Sequence, residues 1–207
     1  MSIIKLNNNS VKNVTTFGNV TGGSMVFIKK LTASSSSTLS FVDGASSVVL
    51  DNTYKEYLFT FNNIHPSAEN PNFAFNLSVD SGSNYNVSKT SSAFFAQHGE
   101  SGTGGELNYS TARDLSQGTG IQHLTNEAGN DNDQGVSGYL HLFNPSSTTF
   151  VKHYISSTNS NFKYSEPYAY GHYIAGYGNT TSAVDAVQFS FSSGNIDSGD
   201  IVLYGIN

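Results

Sequence analysis

Apolar and polar residues alternate in many short stretches of this chain, at the two-residue period expected of a β-strand. The clearest stretch is 73–79, where Phe73, Phe75, Leu77 and Val79 share one face. Short runs rich in Gly, Ser and Asn separate the stretches, as is typical of turns. The pattern predicts strands at residues 25–28, 38–42, 48–50, 54–62, 73–79, 85–89, 92–97, 121–124, 136–155 (as a hairpin), 168–175, 183–191 and 200–206.

The strongest strand signal is the run 136–155, in which two alternating segments flank the turn sequence Asn144-Pro-Ser-Ser147. Proline fixes its own φ and cannot donate to a sheet ladder, so it belongs in the bend. The flanks are rich in Tyr, Phe, Thr, Val and Ile, which suit a pleated and half-buried surface. The run therefore predicts a β-hairpin.

The predicted hairpin has two faces of different character. With the turn centred on Pro145 and Ser146, Leu140 faces Val151, and this face is mostly aliphatic, as in a core. The other face is aromatic with polar tips, whereas a monomer normally keeps its solvent face wetter. We therefore expect this second face to contact another subunit, through Tyr139, Phe143, Phe150 and Tyr154.

Many short strands at close spacing predict an all-β fold, an antiparallel β-sandwich with a jelly-roll-like topology. Charged residues make up 12% of the chain, about half the usual share, and short polar residues that disfavour helix interiors replace them. The 207 residues suit one large domain, which we assign to residues 24–207. Residues 98–118 are predicted to form a long loop, with room at 108–117 for a turn or two of helix.

Residues 1–23 differ from the rest, because their apolar residues follow neither a helical nor a two-residue period. A solvated tail has no need of sizeable apolar side chains. We interpret the segment as an extended N-terminal attachment arm that lies on a neighbouring subunit, with a frayed terminus as the alternative. Its candidate contact residues are Ile3, Ile4, Leu6, Val11, Val14 and Phe17.

Charge and cysteine content exclude several classes of function. The formal net charge is −6 and Arg113 is the one arginine, so the chain has no basic patch to bind nucleic acid. The chain has no cysteine, which excludes disulfides, thiolate metal sites and cysteine nucleophiles. No apolar run approaches the roughly 20 residues of a membrane span, and the start does not resemble a signal peptide. We expect a protein that is made in a cytoplasm and does not insert into membranes.

The turn at 129–135 is the best candidate for a cation site. Asp131 and Asp133 alternate with asparagines, and all offer oxygen ligands suited to Ca²⁺. The EF-hand pattern fails, because the twelfth loop position from Asp131 is Leu142 rather than glutamate. A solvated acidic turn is therefore favoured over a weak Ca²⁺ site. No histidine pair has metal-ligand spacing, and we predict no cofactor.

The sequence offers no pattern of catalytic residues. No spacing selects a pair of carboxylates, and no nucleophile elbow of the form G-x-S-x-G occurs. Two glycine-rich runs lack the lysine and the helix of a phosphate cradle. We predict that the protein is not an enzyme. Its twelve tyrosines suit packing and subunit interfaces, and also stacking on sugars, so both interpretations stay open.

Several stretches after residue 53 are specific enough to compare with known sequences. The hairpin supplies Leu142-Phe-Asn-Pro-Ser-Ser-Thr-Thr-Phe-Val-Lys-His153, and other stretches are residues 63–66, 80–85, 131–134, 175–188, 192–199 and 201–206. With these stretches the chain resembles a family of small virion structural proteins of tailed phages, familiar from phages of marine bacteria such as cyanophages and pelagiphages.

The resemblance implies a β-sandwich on the virion exterior, as a homotrimer in contact with other virion proteins of the capsid or tail. It supplies no catalytic residues. One hypothesis is a structural protein that decorates the capsid or forms a short head fibre, anchored by residues 1–23. The other is a receptor- or glycan-binding module of a tail fibre that binds host surface glycans. The chain lacks the long repetitive shaft of a whole tail fibre, which favours the first hypothesis.

Overall fold

The computed structural model describes residues 24–163 and 166–207, and these fold into antiparallel strands. Their alternating sequences pair as the two-residue period predicts, so the predicted all-β class is confirmed. The strands are β1 (Met25–Thr32), β2 (Leu39–Val42), β3 (Glu56–Pro66), β4 (Phe73–Ser78), β5 (Lys89–Gly99), β6 (Glu106–Tyr109), β7 (Gln122–His123), β8 (Val136–Phe143), β9 (Lys152–Lys163), β10 (Pro167–Gly178), β11 (Ala186–Phe191) and β12 (Ile196–Ile206).

The strands form two sheets of unequal size. One has eight strands in the order β1-β12-β3-β8-β9-β10-β5-β6, and the other has four in the order β2-β11-β4-β7. The inward side chains of both sheets share one hydrophobic core, which is the arrangement of a β-sandwich. The jelly-roll topology within this class stays a prediction.

A cluster of phenylalanines fills the space between the sheets. Phe189 of β11 lies at its centre, fully buried, with its ring centroid 5.3 Å from those of Phe59 and Phe61 on β3. Phe73, on β4 of the same sheet, stacks on Phe189 with the ring centroids 5.9 Å apart. Aromatic pairs at these separations add packing energy to that of the buried area. The predicted alternation of Phe73 and Phe75 toward the core is confirmed, and both are fully buried.

The predicted hairpin exists as β8 and β9, but its predicted register is wrong. Leu140 pairs with Ser156 and Leu142 with Tyr154, because residues 144–151 form a longer loop than a tight turn. The pairing is displaced by an odd number of residues, and an odd displacement turns a strand over. As a consequence, β9 points Tyr154 into the core, and His153 lies on the outer side with His141.

Side-chain hydrogen bonds explain the longer loop. The Ser147 hydroxyl accepts the backbone N–H groups of Thr149 and Phe150 at 3.1 and 3.0 Å, which delays the start of β9. The Pro145 carbonyl accepts the N–H of Val184 at 2.9 Å, so the loop is also tied to the chain before β11. Proline does lie in the bend, as predicted.

Four other local predictions are wrong. Residues 85–88 form no strand, since β5 begins only at Lys89. Residues 48–50 form no strand, since Asp43 accepts the N–H of Leu50 at 2.8 Å and holds a local turn. Strand β6 lies within the predicted loop 98–118, where it pairs with β5. Among the residues that the structure describes, 108–117 contain no helix. The predicted arm, with Ile3, Ile4, Leu6, Val11, Val14 and Phe17, lies outside the described residues.

Candidate assembly surface

The outer face is the side of the eight-stranded sheet that is turned away from the four-stranded sheet. One row of paired residues crosses five neighbouring strands of this face, and paired residues of adjacent strands project to the same side. From β8 to β6 the row consists of Tyr139, Ser157, Tyr173, Phe94 and Tyr109. The rings of Phe94 and Tyr173 stack with centroids 5.0 Å apart. The row therefore forms an aromatic stripe across the strands.

The outer face exposes much apolar surface. Eight of its large apolar side chains are 41–69% exposed: Met25, Phe27, Phe94, Leu107, Tyr109, Tyr139, Ile155 and Tyr173. An aromatic side chain buries about 150–250 Å² when it is fully covered, so this half-exposed set presents roughly 800 Å². Single exposed apolar residues are common, whereas a contiguous patch of several hundred Å² marks an interaction site, and six of these eight residues lie on the neighbouring strands β8, β9, β10, β5 and β6. Each partner in a standard protein interface buries about 800 Å².

Charge is scarce on the outer face. On β8, β9, β10, β5 and β6, the outward positions within residues 90–161 and 167–177 hold no Asp, Glu, Lys or Arg. Near β1 the charges are paired, since Lys30 Nζ lies 3.1 Å from Asp200 Oδ2. His141 Nε2 lies 3.0 Å from Glu56 Oε2, although the two are not aligned for a hydrogen bond. A partner that covers this face therefore buries few charges that lack an opposite charge nearby.

The four interface residues that the hairpin sequence predicted lie in different environments in the structure. Tyr139 and Phe143 lie on the outer face, as predicted. Phe150 is 67% exposed in the loop between β8 and β9, away from the aromatic stripe. Tyr154 is buried in the core, where its hydroxyl donates to Gln122 Oε1 at 3.0 Å, because the register turns β9 over.

Phe94 is not among the contact residues predicted from the sequence, because its row neighbours Tyr109 and Tyr173 lie far from it along the chain. Its strand was predicted, but which face it joins depends on pairing across β9 and β10. The available signal was the apolar pair Phe94 and Phe95, which leaves one aromatic ring on each side of β5.

The cation candidates lie in an exposed turn before β8. Asp131 and Asp133 are exposed, and the backbone carbonyl of Asp131 lies 3.2 Å from His65 Nε2. Within residues 24–163 and 166–207, no group of three or more His, Asp or Glu residues is placed to hold a metal ion. The weak Ca²⁺ interpretation thus gains no cluster of carboxylate or histidine ligands within the described residues.

The strongest pKa shifts belong to groups inside the sandwich. Burial and the nearby Arg113 guanidinium lower the pKa of His172 to about 3 and that of His123 to about 4. Burial also lowers the pKa of Lys89 to about 8, and its amine donates to Asn76 Oδ1 at 2.5 Å and to the Val87 carbonyl at 2.8 Å. These groups pack against protein rather than facing a cleft of substrate size, so burial is the physical cause of their shifts.

We expect acid to destabilise the fold through His172. Burial lowers the pKa of His172 in the folded state. Below about pH 6.5, the ordinary pKa of histidine, the unfolded chain therefore binds a proton that the folded chain does not bind. His172 makes its full contribution to the free energy of unfolding above pH 6.5, and this contribution falls by about 2–3 kcal/mol by pH 4.5. Urea unfolding at pH 7 and pH 4.5 measures the loss.

A variant that cannot titrate isolates this effect from that of the carboxylates. His172→Gln is expected to lose about 2–3 kcal/mol less than the wild type between the two pH values. The exposed His153 gives the matched control, since His153→Gln keeps the wild-type acid sensitivity. Equal acid sensitivity of His172→Gln and wild type contradicts the prediction.

Comparison of the chain with protein-family models, curated proteins and solved structures finds no match. In the described part of the chain, no helix has the length and apolar character needed to cross a membrane. The candidate site therefore rests on the geometry of the outer face itself.

Proposed function

We propose that this chain is a non-enzymatic structural protein on the exterior of a tailed-phage virion, where it decorates the capsid or forms a short head fibre. It assembles with copies of itself, as a homotrimer, and contacts other virion proteins through residues 1–23. The outer face of the eight-stranded sheet carries the assembly part of this proposal. The sequence resemblance supports the virion part.

A second copy of the chain is the occupant that suits the outer face best. Its apolar surface is close to what one partner of a stable interface buries. The face is poor in charge, so a copy that carries the same surface meets no like-charge repulsion at the aromatic stripe. An acidic or basic partner would find no complementary charge there.

The two edges of the large sheet suit a ring of three. β1 exposes Met25 and Phe27 at one edge, and β6 exposes Leu107 and Tyr109 at the other. In a closed ring each contact joins two different patches of neighbouring subunits. Packing the edge of one sheet on the face of the next covers both the unpaired edge and the aromatic stripe.

Three of the segments that carry the phage resemblance meet in space. The carbonyl of Pro145, in the hairpin loop, accepts the N–H of Val184, in the segment that follows β10. Asp185 in that segment accepts the N–H of Ser81, in the turn that follows β4, at 2.9 Å. These segments build one end of the sandwich. The resemblance therefore concerns residues that determine the fold, which supports a shared architecture.

Labelled virions test the proposed location. A small tag fused before residue 1 and viewed by electron microscopy is expected to appear on the outside of the phage head. The untagged phage provides the control for label specificity. Label confined to the tail favours the tail-fibre alternative and contradicts decoration of the head. Particles that carry none of the protein contradict the virion proposal as a whole.

A further inference from the structure

A polar pocket of about 610 Å³ lies beside the aromatic stripe, at the end of the outer face where β9 and β10 meet the turn before β8. Here the outward residues change from aromatic rings to amides, since Asn159 and Asn161 follow Ser157 along β9. Asn132 and Asp133 of the turn form one wall, and Tyr168 of β10 forms part of another. A volume of this size accommodates a small organic ligand.

Hydrogen bonds to the backbone fix the floor of the pocket. Asn161 Oδ1 accepts the N–H of Gly135 at 2.9 Å, and Asn161 Nδ2 donates to the Asp133 carbonyl at 3.1 Å. Asn159 Nδ2 donates to the Tyr170 carbonyl at 2.8 Å. These bonds hold the turn against β9, so the pocket is formed before a ligand arrives. Binding therefore costs little conformational entropy.

The pocket keeps hydrogen-bonding capacity for a ligand. Among the described residues, the side chain of Asn132 makes no hydrogen bond, and Asn159 Oδ1 accepts none. An amide offers a donor and an acceptor in one plane, which matches adjacent hydroxyls that each donate and accept. Polyhydroxyl ligands present such neighbouring hydroxyls.

Charge narrows the class of ligand. Glu100 and Asp133 line the pocket, and no Lys or Arg is among the lining residues that the structure describes. Phosphate, sulfate and carboxylate groups need cationic or N–H-rich surroundings, so the carboxylates disfavour nucleotides and acidic sugars. A neutral sugar is tolerated, and an amino sugar gains an ion pair.

We propose that this pocket is a binding site for a saccharide, either neutral or amine-bearing. The inference goes beyond the structural role, and it does not rest on stacking against tyrosine rings, since the Tyr168 ring stacks on Phe162 on the opposite side of the sheet from Asn161. Binding is a property of the purified chain, so it is tested without reference to where the protein sits on a particle.

The test uses the full-length protein and ligand-observed NMR. The probes are galactose, mannose, N-acetylglucosamine, glucosamine and their disaccharides, with N-acetylneuraminic acid and glucose 6-phosphate as acidic counterparts. At least one neutral or amino sugar is expected to bind at millimolar concentration, more tightly than either acidic probe. Asn132→Ala is expected to weaken that binding about tenfold, the effect of one lost hydrogen bond.

A matched variant separates a pocket effect from a general one. Asn108→Ala removes an exposed amide on β6 that does not line the pocket, and it is expected to leave affinity unchanged. The proposal is overturned by absence of binding for every neutral and amino sugar, by preference for an acidic probe, or by equal binding in Asn132→Ala. A response to Ca²⁺ alone, lost in Asn132→Ala, also overturns it in favour of a cation site.

Discussion

Replacing Phe189 with alanine is expected to lower the free energy of unfolding by about 3–5 kcal/mol, a large share of a typical stability of 5–15 kcal/mol. The ring is fully buried and lies within 6.5 Å of five other phenylalanine rings from both sheets: Phe41, Phe59, Phe61, Phe73 and Phe75. Its removal leaves a cavity that the paired strands on either side cannot close. Urea denaturation followed by fluorescence or circular dichroism measures the change.

Phe150 provides the control for the same chemical change. It is 67% exposed in the loop between β8 and β9, so Phe150→Ala is expected to change stability by about 0.5 kcal/mol or less. The contrast tests the packing of the two sheets rather than the loss of an aromatic ring. Two variants of equal stability contradict a core centred on Phe189.

Replacing Phe94 with lysine is expected to dissociate the assembled protein into monomers. Phe94 lies in the middle of the aromatic stripe, stacked on Tyr173, and in a trimer the change buries three uncompensated charges. Leaving one buried charge without a partner costs about 3–5 kcal/mol. In the monomer the lysine projects into water from a strand, so the fold is retained. Light scattering with size-exclusion chromatography measures the mass, and circular dichroism checks the fold.

Two controls define what covers the outer face. Val79→Lys places the same charge on an exposed position beyond β4, outside the outer face, and is expected to leave the trimer intact. Deletion of residues 1–23 is expected to leave the trimer too, while attachment to the virion is lost. A wild-type monomer, or a trimer that survives Phe94→Lys, contradicts assembly through this face. If deletion of residues 1–23 dissociates the trimer, the contact between subunits is made by this segment instead.

The hairpin illustrates how far the sequence predicts this fold. Alternation identified both strands, and Pro145 marked the bend, because these signals are local. The register was not predictable, since it depends on the Ser147 hydroxyl and on Val184, which is distant in the chain. One odd displacement exchanged the faces of β9, and so Tyr154 moved from the predicted interface into the core.

The candidate surface required the pairing of strands that are separated along the chain. The sequence predicted an exposed aromatic face from Tyr139 and Phe143, and this part holds. It did not predict that Phe94, Tyr109 and Tyr173 join Tyr139 in one row, because that row exists only after β5, β6, β8, β9 and β10 assemble. The pocket was missed for the same reason, although Asp133 had been singled out as a ligand for another chemistry.

The position of β12 has a consequence for biosynthesis. This strand follows the other eleven described strands in sequence, yet it lies between β1 and β3 and pairs along most of their length. Until it leaves the ribosome, both neighbours expose unpaired backbone groups, and β1 has no other partner among the described strands. Contacts so distant in sequence close slowly, over milliseconds to seconds. The nascent chain is therefore open to chaperones until β12 has emerged and paired with both neighbours.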